Sequence, residues 1–285
     1  MMFGEPKRSR AEDLIGERGV RFHMNISVSS LGFNGPAGFG MGKLAPELGV
    51  EIFYEWGGAT YWELVLEEVF RDRTGPFSIH APFQGGKLDL SLVEDEKWLF
   101  DYLMQPFDLY HKYGGDGYVV HMNSPYPAEP TDAERAERLK RVEDRLARFN
   151  DICKREGVSM LVENLAFSKG ATLCRQQDFL SIFEHNPELD CIVDTGHAVL
   201  AGIDIYEVQK ALGARLKAYH MHDNDGKSDG HKRILTGVID WKRFGEGARK
   251  YTPDANFVME YNPDSTTTVR EYMTDADAIR AMLKG

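Results

Sequence analysis

The sequence predicts a single (β/α)8 TIM barrel, the α/β architecture in which eight parallel strands alternate with an outer ring of helices. Three observations carry that expectation. Eight short β-rich runs recur along the chain. Amphipathic or charged helical runs separate most of them. The 285 residues divide into units of about 35, the size of one strand with its crossover helix.

The strand runs are GVRFHMNIS (19–27), GVEIFYE (49–55), PFSIHAP (76–82), GYVVHMN (117–123), VSMLVEN (158–164), DCIVDTG (190–196), LKAYHMHD (216–223) and NFVMEYN (256–262). Helical runs lie at 59–72, 91–112, 131–156, 202–213, 240–250 and 266–284, with apolar residues every three to four positions as a helix on a sheet requires. Strand-then-helix repetition implies parallel strands joined by crossovers. No Pro/Gly/Ser-rich linker divides the chain, so residues 19–285 form one domain and residues 1–18 a polar lead-in. The open doubly wound sheet is the alternative. Its phosphate loop would be SSLGFNGPAGFGMGK (29–43), which lacks the glycine spacing of a dinucleotide or nucleotide loop and reads as a βα loop over the site.

Composition narrows the function. At 42% hydrophobic and 28% charged residues the chain is neither disordered nor membrane-like, and no apolar run reaches the roughly 18–20 residues of a span. The N-terminal segment has basic residues but no apolar core, unlike a secretory signal. Three scattered cysteines, Cys153, Cys174 and Cys191, form no disulfide framework or CxxC pair and fit reduced thiols in a cytoplasm. A net charge of −11 argues against nucleic acid or an anionic membrane as partner; a homo-oligomer is compatible.

Side-chain alternation along the strands points to chemistry. Val120 and Met122 share the helix-facing side of their strand, as do Tyr219 with Met221 and Phe257 with Met259. The other side then carries His121, His220 with His222, and Glu260. By the same rule Glu163 follows Leu161, Asp194 follows Ile192, and His80 follows Ser78. A strand-end His alone reads as a structural hydrogen-bonding residue, and a strand-end Glu alone as a partner for Arg. Glu163, Asp194, His220 and Glu260, however, are separated by 31, 26 and 40 residues, about one unit each, which places them on strands five to eight. Buried carboxylates there need a cation, and the C-terminal face of a barrel is where its sites lie. Three carboxylates and an imidazole favour Mn²⁺ or Mg²⁺, with Co²⁺ or Zn²⁺ also compatible.

ENLAF after the fifth strand, VDTGH after the sixth, HMHDNDGKSDGH after the seventh and MEYN at the eighth resemble the xylose isomerase-like TIM-barrel superfamily. It includes sugar isomerases, ketose 3-epimerases and endonuclease IV-type abasic-site nucleases. The resemblance spans nearly the whole chain. It implies a shared metal shell of Glu163, Asp194, His220 and Glu260, with the two glutamates as an acid/base pair. It implies substrate-binding or extra-metal roles for His80, His121, His197, Asp229 and His231, with His222 as the rival of His220 for the ligand position. Two departures from the ketose 3-epimerase pattern stand out: Lys169 in place of a glutamate and Gly226 in place of an arginine. The HMNSPYP loop also departs from the nucleases' His-Pro-Gly.

The expected function is a metal-dependent sugar or sugar phosphate isomerase/epimerase, abstracting a proton beside a carbonyl by way of an enediolate. Glu55, Trp56, Phe83, Tyr126 and Lys169 are candidate pocket residues for the small sugar-like substrate. The alternatives are an abasic-site endonuclease with several zinc ions and a related lyase or dehydratase. A nuclease would need a basic rim, for which Arg73, Lys87, Lys169, Lys227, Lys232 and Arg233 are the candidates.

Overall fold

The computed structural model describes residues 25–32, 45–85, 87–122, 130–166, 173–263 and 268–284. Eight parallel strands close into a barrel in sequence order: β1 (Ile26–Ser29), β2 (Gly49–Phe53), β3 (Phe77–His80), β4 (Gly117–His121), β5 (Met160–Glu163), β6 (Asp190–Asp194), β7 (Leu216–Met221) and β8 (Asn256–Met259). Closure is made by β1 on β8, where Ile26 faces Phe257 and Val28 faces Met259.

The helices are α1 (Gly58–Glu68), α2 (Glu96–Met104), α3 (Phe107–Tyr113), α4 (Asp132–Glu156), α5 (Gln176–His185), α6 (Thr195–Ala201), α7 (Ile205–Leu212), α8 (Trp241–Tyr251) and α9 (Val269–Lys284). Their starts follow local chemistry. Thr131 and Glu134 form a reciprocal capping box on α4, and Asp95, Asp204 and Asp240 cap α2, α7 and α8 through their side chains. Gly157 takes φ +71° to end α4, a left-handed conformation that glycine adopts without steric cost.

Four expectations need correction. The first strand is Ile26–Ser29 and overlaps the expected 19–27 only at its end; residues 19–24 lie outside the described residues. The expected helix 91–112 is two helices. Pro106 has no N–H to give and stands at the start of α3. The expected helix 202–213 begins at Ile205, after Gly202 at φ +67° has ended α6. Helix α5 was not expected. Its N-cap, Arg175, makes no side-chain cap, so the usual start signal is missing.

The outward strand residues meet the helices. Tyr219 packs between Phe244 and Phe257, with ring centroids 4.9 and 5.5 Å away, and its hydroxyl lies 2.6 Å from Thr252 Oγ1. The barrel interior has its own small apolar layer, Val119, Leu161, Ile192 and Ala218. The next inward residue on each of those strands is His121, Glu163, Asp194 or His220. A packed apolar floor therefore sits beneath a polar mouth. All three cysteines are buried, and none forms a disulfide among the described residues. Among the described residues no helix is long and apolar enough to cross a membrane.

Candidate metal centre

The VDTGH segment shows how the chain builds the mouth. Asp194 ends β6 and also caps α6, its Oδ1 accepting the His197 amide at 2.6 Å. Asn164, just past β5, clasps the same residue twice. Its Nδ2 donates to the Asp194 carbonyl at 3.0 Å, and its Oδ1 accepts the Asp194 amide at 2.8 Å. Thr195 Oγ1 donates toward the His220 and His222 carbonyls at 3.1 and 2.8 Å, tying β6 to β7. His197 then turns inward.

Gly196 fits because His222 is there. A Cβ at Gly196 would lie 2.0 Å from His222 Cε1. That ring has nowhere to go: its Nε2 faces both Asp194 oxygens at 2.8 and 2.9 Å, and it stacks on His231 with centroids 3.9 Å apart. Gly196→Ala should therefore cost about 1–3 kcal/mol of stability, the usual range for overpacking. Urea denaturation checks this; an unchanged midpoint would mean that His222 moves freely.

The four predicted ligands converge. His220 Nδ1 lies 2.8 Å from Glu163 Oε1, 3.2 Å from Glu260 Oε2 and 3.9 Å from Asp194 Oδ2. One donor atom from each of the four residues fits within 4.8 Å of the others, and all four residues are buried. His222 is not part of this group, so the structure places His220, not its rival, among the carboxylates.

A divalent cation fits these residues on two grounds. The donors are three carboxylates and an imidazole, the hard set such ions take. In addition, Glu163 Oε2 is buried with no hydrogen-bond partner; His121 Nε2 stands 2.8 Å from it without hydrogen-bond alignment. A buried carboxylate oxygen with imidazole nitrogens beside it but no aligned hydrogen bond is disposed to take a cation.

Two further groups flank the first. His80 and His121 share Glu163, and His197, His222, Asp229 and His231 form the other. Three of these imidazoles are held alike, with Nδ1 on a backbone carbonyl: His80 on Ala81 at 2.9 Å, His197 on Asn164 at 3.1 Å and His231 on Glu260 at 3.0 Å. Each Nδ1–H then donates, and each Nε2 is left for the site. Nε2 of His197 and of His231 both face Asp229 Oδ2, at 3.1 and 3.3 Å. The loop after β7 brings Asp229 and His231 there. Buried Asp223 anchors it by accepting the amides of Asn224 and Ile239 and the Trp241 indole N–H.

Burial and neighbours separate the carboxylates. Burial raises Glu163, but His220 and His121 outweigh it and hold its carboxyl well below the usual range. Burial pushes Glu260 up to about 7, against the opposing pull of His220 and His231. Asp194 is also raised by burial, yet His197 and His222 bring it down to about 2. Burial lowers His231, but its bond to Asp229 and the charge of Glu260 lift it to about 9.

Beside these groups lies a cleft of about 470 Å³. Leu31, Phe53, Trp56 and Phe83 form its apolar wall, and Glu163, Glu260 and His121 are among its polar lining. Phe53 stacks on Trp56 at 4.7 Å and on His80 at 4.1 Å. Of the expected pocket residues, Trp56 and Phe83 line the cleft. Glu55 does not; its Oε2 accepts the Phe83 amide at 2.7 Å and so braces that loop. Tyr126 and Lys169 lie outside the described residues. Sequence reasoning missed Phe53 and Glu51. Both are on the inner face of β2, where alternation with outward Val50 and Ile52 marks them.

Among the candidate rim cations, Arg73 is at the other end of the barrel. Its guanidinium donates to the Gly75 and Tyr113 carbonyls, ahead of β3 and β4. Arg233 is paired with Glu271 and Asp275 at 2.7 and 2.8 Å.

The family model described as xylose isomerase-like TIM barrel matches residues 48–282. No curated protein matches the chain in sequence. Among solved structures, a D-tagatose 3-epimerase-like protein superposes with a TM-score of 0.74 at 20% identity, covering 92% of this chain and 97% of its own. A Thermus thermophilus protein soaked with ZnCl2 gives 0.64 at 23% identity, covering 91% and 98%. The 3-keto-D-glucoside 4-epimerase of E. coli, in its apo form, gives 0.68 at 16% identity, covering 90% and 99%. At these identities the likeness concerns the fold.

Proposed function

The chain belongs to the xylose isomerase-like TIM barrel family, and from that premise we propose that it is a divalent-metal-dependent sugar isomerase or epimerase, with Glu163, Asp194, His220 and Glu260 as ligands. The observation that carries this reading is the convergence of buried Glu163 and Glu260 with Asp194 and His220, the two glutamates also lining a cleft with an aromatic wall.

The bound cation would polarise the substrate carbonyl. Glu163, ionised at neutral pH, takes the proton from the carbon beside that carbonyl. Glu260, the second carboxylate lining the cleft, delivers a proton to the opposite face or to the neighbouring carbon, and the roles reverse for the return reaction. Phe53, Trp56 and Phe83 offer apolar faces to the C–H side of a sugar, while the polar lining meets its hydroxyls. The epimerases among the structural neighbours support this substrate class.

A second reading has one specific observation in its favour. Three neighbouring candidate ligand groups, two of which share Glu163, are the inventory an abasic-site endonuclease with several zinc ions would need. The acidic charge and the positions of Arg73 and Arg233 favour the sugar enzyme.

The deciding experiment is a screen of ketoses and ketose phosphates in D₂O with Mn²⁺, followed by NMR. Metal-dependent wash-in of deuterium beside the carbonyl is the expected result. No exchange on any sugar, together with metal-dependent nicking of abasic DNA, would reverse the choice.

A further inference from the structure

Glu51 is a buried carboxylate inside the barrel for which the proposed chemistry has no use. It stands on β2 and reaches β7, from which it is separated around the closed sheet by β1 and β8. Its Oε1 lies 2.8 Å from His220 Nε2, and its Oε2 accepts the Ser78 hydroxyl at 2.8 Å. The interior layer at this depth is otherwise apolar on β4 to β7, so an apolar side chain would pack at less electrostatic cost.

The contrast with the other histidines explains why an acid is needed here. His80, His197 and His231 each give their Nδ1–H to a main-chain carbonyl in a loop or at a strand end. His220 lies within β7, where the ladders to β6 and β8 take up the neighbouring carbonyls. A side chain has to receive its Nε2–H, and Glu51 is the side chain in place to do so. A neutral imidazole carries one N–H. Holding that proton at Nε2 leaves the Nδ1 lone pair facing Glu163, Glu260 and Asp194.

We propose that Glu51 is a positioning residue for the metal centre: seated by Ser78, it fixes the tautomer and ring orientation of His220, making Nδ1 the coordinating atom. This rests on the reading of Glu163, Asp194, His220 and Glu260 as a metal shell. Glu51 acts through His220 and touches neither metal nor substrate.

The test compares wild type, Glu51→Gln and Glu51→Leu, with melting curves to establish folding. Co²⁺ affinity is measured by chelator competition, and the His220 ring is read by ¹⁵N NMR in Zn²⁺-loaded, ¹⁵N-histidine-labelled protein. Wild type should show a protonated Nε2 and a coordinated Nδ1. The Leu variant should bind Co²⁺ about 10–100-fold more weakly, the usual loss for an outer partner of a ligating histidine, with the His220 signals displaced. The Gln variant keeps an acceptor. It should retain the tautomer, lose less affinity than Leu, and shift the Nε2–H resonance upfield as the bond weakens. A folded Leu variant with wild-type affinity and unchanged His220 signals would reduce Glu51 to a packing role and leave the metal shell standing. If the Leu variant does not fold, a Gln variant identical to wild type in both readouts overturns the proposal. Failure of wild type itself to bind Co²⁺ would remove the metal-shell reading first, and this inference with it.

Discussion

Glu260→Gln should slow metal-dependent exchange of the substrate's C–H with D₂O by about a hundredfold to ten-thousandfold, the range a positioned acid or base contributes, and Glu163→Gln by at least as much. The two losses have different origins. Glu163 is the stronger candidate base, because His220 and His121 keep it ionised despite burial. Its amide would neither accept the proton nor balance those imidazoles. Without a cation burial pushes Glu260 up to about 7; a bound cation draws it down, and Glu260 belongs to the pair as the second carboxylate lining the cleft. Because each residue is also a candidate ligand, the rates must be compared at saturating Mn²⁺, with bound metal measured alongside. A variant that holds metal and still exchanges within tenfold of wild type would remove that residue from the proton-transfer pair.

Mn²⁺ affinity should rise steeply with pH through 7, and binding should release protons. Burial raises Glu260 above its ordinary value, so below about pH 7 it carries a proton that the metal must displace. Each unit of acidification below that point then weakens binding about tenfold through this group alone. His220 extends the effect upward: burial lowers it, but the charges of Glu260, Glu163 and Glu51 outweigh that and hold it well above the usual imidazole value. Its Nδ1 must also be bare to coordinate, so affinity continues to climb above 7. Between pH 5.5 and 7 the expected gain is about thirtyfold or more. Calorimetry in two buffers of different ionisation enthalpy counts the protons; an affinity that is flat from pH 5.5 to 8 would mean that neither group meets the metal.

The convergence of the four candidate ligands was legible because of where they stand. Strands β5 to β8 have strongly apolar outward faces, so alternation alone turns Glu163, Asp194, His220 and Glu260 inward. The extent of β1 to Ser29 was hidden because ISVS is short and half serine, whereas the preceding GVRFHMN is longer and alternates apolar residues at Val20, Phe22 and Met24. Helix α5 went unseen because ten residues starting from an uncapped Arg175 offer periodicity but no boundary. Glu51 obeyed the same alternation rule as the quartet. It escaped attention because it lies one tier below the strand end, where a carboxylate has no reason to be unless something above it needs a proton held. The meeting of Asp229 and His231 with His197 depends on how a long loop folds around Asp223, and no local pattern encodes that.

Asn164 and Asp194 exchange two hydrogen bonds across the seam between β5 and β6. The Asp194 carboxylate is thus oriented by a backbone that cannot shift unless two barrel staves part. Its amide hydrogen should trade with solvent only when that seam opens, at rates set by the deepest opening of the fold rather than by loop motion. Ligand geometry and barrel integrity therefore fail together. The mouth is as rigid as the sheet from which it grows.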